Sequence, residues 1–210
     1  MVKTFQDIST EEKILAAARQ VFLQKGLAGA RMQDIADAAG INKALLHYYF
    51  RSKEKLFEVI FREAIGKLMP LVHEIFNHNG RHFFDKVRAL VHAYVGMAIE
   101  NPYLPMFVLN EMHSNPEDFM MRVYFTPNEL PFKKILASIQ QAVDEGIIAP
   151  MEPVQLLMHI LSLSLFPFVA RPMFQRVMEL SDERYQLLMQ QRQTEVAEFV
   201  IRAIQINNNK

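Results

Sequence analysis

The stretch GINKALLHYYFRSKEKL, Gly40–Leu56, decides how this chain is read. It has a glycine, then an asparagine able to cap a helix, then two turns of helix-forming residues, then a serine that can cap the next helix. At 100° per residue, Lys43, Ala44, His47 and Tyr48 occupy one arc of the short helix, and Leu45, Leu46, Tyr49 and Phe50 the opposite one. The second arc is apolar enough to close a small core. The first has no apolar reason to be buried, yet sets a cation, an imidazole and a phenol around one small residue, which lets a helix approach another surface closely. Over residues 43–55, Lys43, Arg51, Lys53 and Lys55 are opposed only by Glu54.

Working outward, Ser9 and Glu12 form an S-x-x-E capping box, and Ile14, Leu15, Ala18, Val21 and Phe22 follow as one apolar stripe, so a helix is expected up to Lys25 and Gly26. Met32–Gly40 reads as a second short helix with Gly40 as its left-handed stop. Asn42 then caps the helix Lys43–Phe50. Ser52 caps a fourth, with Leu56, Phe57, Ile60 and Phe61 as its stripe, running on through REAIGKLMPLVHEIF with a bend near Gly66 or Pro70. Helical periodicity resumes over Phe83–Ile99. Prolines at 102, 105, 116, 127 and 131 break the next segment into short helices and turns. Longer helices are expected near Phe132–Glu145, Val154–Ala170 and Asp182–Ile206. The fold class is therefore all-α, with a three-helix N-terminal unit over 1–51 and a larger helical domain over 52–210.

Among 210 residues there is no cysteine, which excludes disulfides, thiolate metal sites and cysteine nucleophiles. Net charge is zero and says nothing about partners. The first residues, MVKTFQDISTEEK, have no apolar core of signal-peptide type, so a cytoplasmic location is expected. The most apolar run, Val154–Val169, is short for a bilayer and contains His159 and Pro167, so it reads as a buried or interface helix and no membrane partner is expected. His78 and His82 stand four apart, but Gly80 between them and the lack of a carboxylate at ligand spacing argue against a metal. No activated nucleophile, glycine-rich phosphate loop or paired-carboxylate cleft emerges, so neither a catalytic residue nor a cofactor is expected.

A short helix behind a glycine-containing turn, presenting a polar face, is the arrangement of a helix-turn-helix recognition helix in a DNA major groove. Amides at the starts of the second and fourth helices can bind phosphate, Lys53 adds charge there, and Tyr48 or Tyr49 can donate a phenolic hydroxyl. On spacing alone, a plain structural element with a solvated basic face explains the pattern as well.

Residues 10–60, TEEKILAAARQVFLQKGLAGARMQDIADAAGINKALLHYYFRSKEKLFEVI, resemble the N-terminal domain of the TetR family of transcriptional regulators, in unbroken register. The resemblance implies base-edge or close groove contacts from Gln33, Lys43 and Ala44, and phosphate contacts from His47, Tyr48, Tyr49 and Lys53. Arg31 stands where a Thr or Ser often caps the second helix, and could itself reach a phosphate. Ala44 replaces a frequent glycine. His47 replaces a frequent tyrosine, which puts that contact in question and makes it a candidate for pH sensitivity.

Beyond residue 60 the chain resembles the family only in length and helical character. The family implies a homodimer with a small-molecule pocket, and hence a repressor released from a palindromic operator by its effector. In the sequence, Leu157, Leu161, Ser164, Leu165 and Phe168, with Val196, Phe199, Val200 and Ala203, supply stripes for a four-helix interface through 154–170 and 182–206. Met97, Met106, Phe107, Met112, Phe119, Met120, Met121, Tyr124, Phe125 and Met158 suit an adaptable, largely apolar cavity, with Asn110, Glu111 and His113 as polar anchors. The same residues would serve as ordinary core. Two other readings stay open: a ligand-independent DNA-binding regulator whose C-terminal domain takes a protein partner, and a helical enzyme that merely keeps the helix-turn-helix shape.

Overall fold

A computed structural model describes residues 9–78, 80–114, 116–117 and 131–206. The described residues contain ten helices: α1 Thr10–Gly29, α2 Met32–Ala39, α3 Lys43–Tyr49, α4 Lys53–Asn77, α5 Phe83–Glu100, α6 Leu104–Ser114, α7 Phe132–Asp144, α8 Pro153–Val169, α9 Arg171–Val177 and α10 Asp182–Ile204. Their only β feature is an isolated antiparallel bridge between Ile148 and Gln205. The chain divides into two compact units, Met1–Ile65 and Gly66–Lys210.

The first unit is built by local signals. Ser9 Oγ accepts from Glu12 N–H at 3.2 Å and Glu12 returns the bond to Ser9 N–H at 2.9 Å, closing the capping box at the start of α1. Gly26, at φ 66° and ψ 172°, breaks that helix where expected, but the chain then adds one more turn to Gly29. Gly40 ends α2 in the left-handed region at φ 67°. Asn42 Oδ1 accepts from Leu45 N–H at 2.7 Å to start α3, and Ser52 Oγ from Lys55 N–H at 3.3 Å to start α4.

The core of this unit collects Ile14, Leu15, Ala18, Val21 and Phe22 from α1, Ile35 and Ala36 from α2, and Leu46 and Phe50 around α3. Leu56, Phe57, Ile60 and Phe61 of α4 are buried with them, and the Phe22 and Phe57 rings meet at 5.3 Å. Arg19 and Glu63 form an ion pair in the same unit. The first compact unit runs to Ile65, because the stripe at the start of α4 completes its core.

In the second unit, α5 packs on α10, α8 and α7, while α8 also receives α6, α7, α9 and α10. Gly96 of α5 faces α10, where a Cβ would lie 3.2 Å from the end of the Gln193 side chain. α8 ends at Val169 and the chain turns by 66° into α9, a helix absent from the sequence reading. No single helix among the described residues is long and apolar enough to cross a membrane.

Candidate nucleic-acid interface

The site is α3 with its flanks. A seven-residue helix is not stable in water by itself, so its packing fixes it. Leu46 is fully buried and Phe50 nearly so, one helical turn apart. Phe50 N–H also caps the helix by bonding Leu46 O at 2.8 Å. Leu45 and Tyr49, expected on the inner arc, are 38% and 41% exposed. The helix buries only a strip one residue wide, and Leu45 and Tyr49 lie about 100° off that strip. The exposed face is correspondingly broader than Lys43, Ala44, His47 and Tyr48, all of which are exposed. Tyr48 projects strongly, at 82% exposure, with its ring edge-on to Tyr49 at 5.5 Å.

The flanks differ in how free they are. Gln33 is exposed on α2, with its Nε2 donating to Asp37 Oδ1 at 2.7 Å, which leaves its carbonyl and a second N–H without that partner. Arg31 lies exposed at the N-cap of α2 and supplies no side-chain acceptor. Only the return half of a capping box forms, Arg31 N–H donating to Asp34 Oδ2 at 3.1 Å. Asp34 also binds Lys25 at 2.9 Å. That bond, then the Arg31 amide, holds its carboxyl below the usual aspartate value.

Lys53 departs from the expectation that it reaches a phosphate. Its Nζ donates to Leu27 O at 2.8 Å, Ala30 O at 3.1 Å and Ala28 O at 3.3 Å, which uses all three of its protons. It closes the C-terminal end of α1 rather than facing out. His47 is turned back toward the chain, its Nδ1 lying 3.2 Å from Arg51 O.

The residues expected to line a ligand pocket differ in burial where the structure describes them. Phe107 is buried and Met97 half-buried, whereas Met106, Met112 and Met158 are exposed at about half their surface. Asn110 and His113 are exposed too. Phe119, Met120, Met121, Tyr124 and Phe125, and the Glu111 side chain, lie outside the described residues. Two features went unread in the sequence. An open groove of about 530 Å³ lies between α5 and α10, floored by Ala89 and Ala197 and edged by Arg81, Arg88, His92 and Glu198. Within the second unit, His73 Nε2 and Ser164 Oγ are buried with no hydrogen-bond partner among the described residues. Neither has a sequence signal, because both depend on which helices meet.

The stripes expected to dimerise are half used inside the subunit. Leu157, Ser164 and Phe168 of α8 are buried, as are Val196 and Val200 of α10. Val154, Met158 and Phe166 on α8, and Phe199 on α10, remain exposed.

Residues 14–60 match the family described as bacterial regulatory proteins, tetR family. Over 115 residues the chain is 28% identical to the biofilm operon icaADBC HTH-type negative transcriptional regulator IcaR of Staphylococcus aureus (strain Newman), covering 54% of this chain and 59% of IcaR. Over 64 residues it is 41% identical to the HTH-type transcriptional regulator RutR of Escherichia coli (strain K12), covering 30% of each. The matched stretch thus spans less than two thirds of either relative. Among solved structures, the ketosteroid transcriptional regulator KstR2 of Mycobacterium tuberculosis superposes with a TM-score of 0.71 at 17% identity, over 96% of this chain and 98% of that one. AibR, in complex with isovaleryl coenzyme A and operator DNA, does so at 0.67 and 16% identity, over 91% and 97%. At such identities the likeness establishes the all-α fold. The helix-turn-helix sequence carries the rest: residues 14–60 are similar to the helix-turn-helix domain of the tetR family of bacterial regulatory proteins, and the relatives matched through it are transcriptional regulators.

Proposed function

We propose that the chain is a homodimeric, sequence-specific DNA-binding repressor, released from a palindromic operator by a small, largely apolar effector. The observation that carries this reading is the outward face of α3, where Lys43, Ala44, His47, Tyr48 and Tyr49 stand exposed over the Leu46–Phe50 anchor. Ala44 allows close approach to base edges, Lys43 and Gln33 supply polar groups for them, and the tyrosine hydroxyls suit phosphate oxygens. Arg31 extends the contact along the backbone.

The first unit reads DNA and the second binds the effector and the partner subunit. Two-fold symmetry matches two half-sites about 34 Å apart, and Phe199 with Val154, Met158 and Phe166 gives the α8–α10 pair apolar surface left over for a second copy. Effector control needs a ligand that binds better to the DNA-incompetent state. α4 is the coupling element, since it begins with Lys53 in the first unit and runs on into the second. The buried, unpartnered Ser164 Oγ and His73 Nε2 are candidates to meet an effector's polar atoms. AibR's complex with both an acyl coenzyme A and operator DNA supports a reading in which one fold handles both ligands.

Genomic footprinting with the full chain, followed by anisotropy titrations on the protected duplex, tests this. Lys43→Ala and Tyr48→Ala should each cost about 1–3 kcal/mol of operator affinity. Equal affinity of wild type and both variants for every duplex would sink the reading. Retained operator binding with no small molecule altering it would favour a ligand-independent regulator with a protein partner.

A further inference from the structure

We infer that His47 couples operator binding to the uptake of one proton, with the main-chain carbonyl of Arg51 as its positioning group. The inference rests on the reading that the exposed face of α3 meets DNA.

His47 Nδ1 lies 3.2 Å from Arg51 O. A carbonyl oxygen only accepts, so this bond exists only when Nδ1 carries the hydrogen. A neutral imidazole has one N–H. With that proton committed inward, the ring's Nε2 is a bare lone pair, and the ring is exposed on the same face as Lys43 and Tyr48. A lone pair cannot donate to a phosphate oxygen; two acceptors repel. A tyrosine or lysine in this place would have a donor at any physiological pH, and histidine does not.

The doubly protonated ring resolves the conflict. Nδ1–H keeps Arg51 O while Nε2–H donates outward, a charge-assisted bond to an anionic oxygen. Flipping the neutral ring to free its proton would instead forfeit the Arg51 bond. A phosphate at Nε2 therefore favours the charged form, and the complex holds one proton more than the free protein and free DNA.

Charged groups flank this site on its own segment, on α2 and at the start of α4. On its own segment the neighbours are Lys43 and Arg51, both cationic. On α2, Asp34 is held by Lys25 at 2.9 Å and Asp37 accepts from Gln33 at 2.7 Å. The first turn of α4 brings Lys53, Glu54 and Lys55, with Lys53 bound to the end of α1 and Lys55 paired with Glu58 at 2.8 Å. Asp34 therefore already has its cation and Asp37 an amide donor, while Glu54 is an exposed carboxylate of the same neighbourhood.

The sign follows from linkage. Binding that takes up a proton tightens as pH falls, so the operator dissociation constant rises with pH by up to about tenfold per unit. Two measurements on the full chain test this. Nitrogen-15 shifts of the free protein's histidines, with His47 assigned by its loss in His47→Gln, should report the Nδ1–H tautomer. Anisotropy titrations of the footprinted duplex from pH 6 to 8.5 at fixed salt should show affinity falling with pH for wild type and a much flatter profile for His47→Gln, whose amide donates without titrating. Parallel pH profiles for the two proteins, or an Nε2–H tautomer in the free chain, overturn the inference while leaving DNA binding intact. No binding at any pH would instead overturn the DNA-binding reading itself.

Discussion

Lys53 Nζ sits 2.8 Å from Leu27 O, so the first residue of α4 caps the last turn of α1. Two more carbonyls, Ala28 and Ala30, complete the cage. The ends of helices leave backbone carbonyls without partners, and here a single ammonium satisfies three of them. A residue expected to touch DNA is thereby a fastener of the domain that presents α3.

Removing it should appear first as lost stability. Lys53→Met keeps much of the aliphatic stem but deletes three charge-assisted bonds, at a cost of about 1–3 kcal/mol given the partial exposure of the site. Urea unfolding should show a lower midpoint with an unchanged slope. An unchanged midpoint together with a uniform loss of DNA affinity would show that the ammonium turns outward to phosphate instead.

The contrast between Lys53 and the caps around it shows what a sequence can disclose. Ser9, Gly40, Asn42 and Ser52 act on residues three or four positions away, so their chemistry is written locally and the helix starts were legible. Lys53 acts on residues 23 to 26 positions back, which no local pattern encodes. The inner arc of α3 failed for a related reason: periodicity says which residues align, and only the neighbour's shape says how wide a strip is covered. Leu45 is as apolar as Leu46, and Tyr49 as aromatic as Phe50, yet only Leu46 and Phe50 are buried. The methionines show the same limit, since residue type does not say that Met106, Met112 and Met158 would be about half exposed. α9 was missed because its seven residues, two turns of helix, are too few to display a periodic stripe of their own.

Ser164 offers a test of the effector reading. Its hydroxyl is fully buried in α8 without a partner among the described residues, and an unsatisfied buried hydroxyl is destabilising. Ser164→Ala should therefore leave the effector-free protein as stable as wild type or up to about 1 kcal/mol more stable. If an effector hydrogen-bonds this hydroxyl, the same variant should bind it less tightly. A marked drop in thermal stability without effector would mean that the hydroxyl already has a partner.

Tyr94 sets an alkaline limit. Burial in α5 pushes its phenol up to about 12, because the phenolate is poorly solvated there. Unfolded, the phenol ionises near its ordinary value of 10. The sign is that of an acid whose folded value is raised: its contribution is intact below pH 10 and is lost as pH climbs from 10 toward 12, at up to about 1.4 kcal/mol per unit. Tyr94→Phe should flatten that part of the stability profile, as read by urea midpoints between pH 9 and 11.5. An identical alkaline decline in the variant would assign the effect elsewhere.

Pro167 and Arg192 form a pair whose logic can be taken apart. In an α-helix the residue-167 amide would bond the carbonyl of Leu163, but proline has no N–H to give. Arg192 of α10 supplies the missing donors, its Nε at 2.9 Å and one terminal nitrogen at 2.6 Å from Leu163 O. Four residues further along, Tyr185 donates to Pro167 O at 2.9 Å, and Arg171 stacks on the Tyr185 ring at 4.9 Å while bonding Asp182. α10 thus holds α8 through the backbone groups near its proline, close to the turn into α9. In the wild-type background, Arg192→Met should leave Leu163 O unpartnered and cost about 1–3 kcal/mol. With Pro167→Ala, the new amide can bond Leu163 O itself, and the same arginine substitution should cost much less. The double-mutant cycle isolates this coupling: equal costs in both backgrounds would mean that Arg192 stabilises by packing alone and that the proline's empty carbonyl is irrelevant to it.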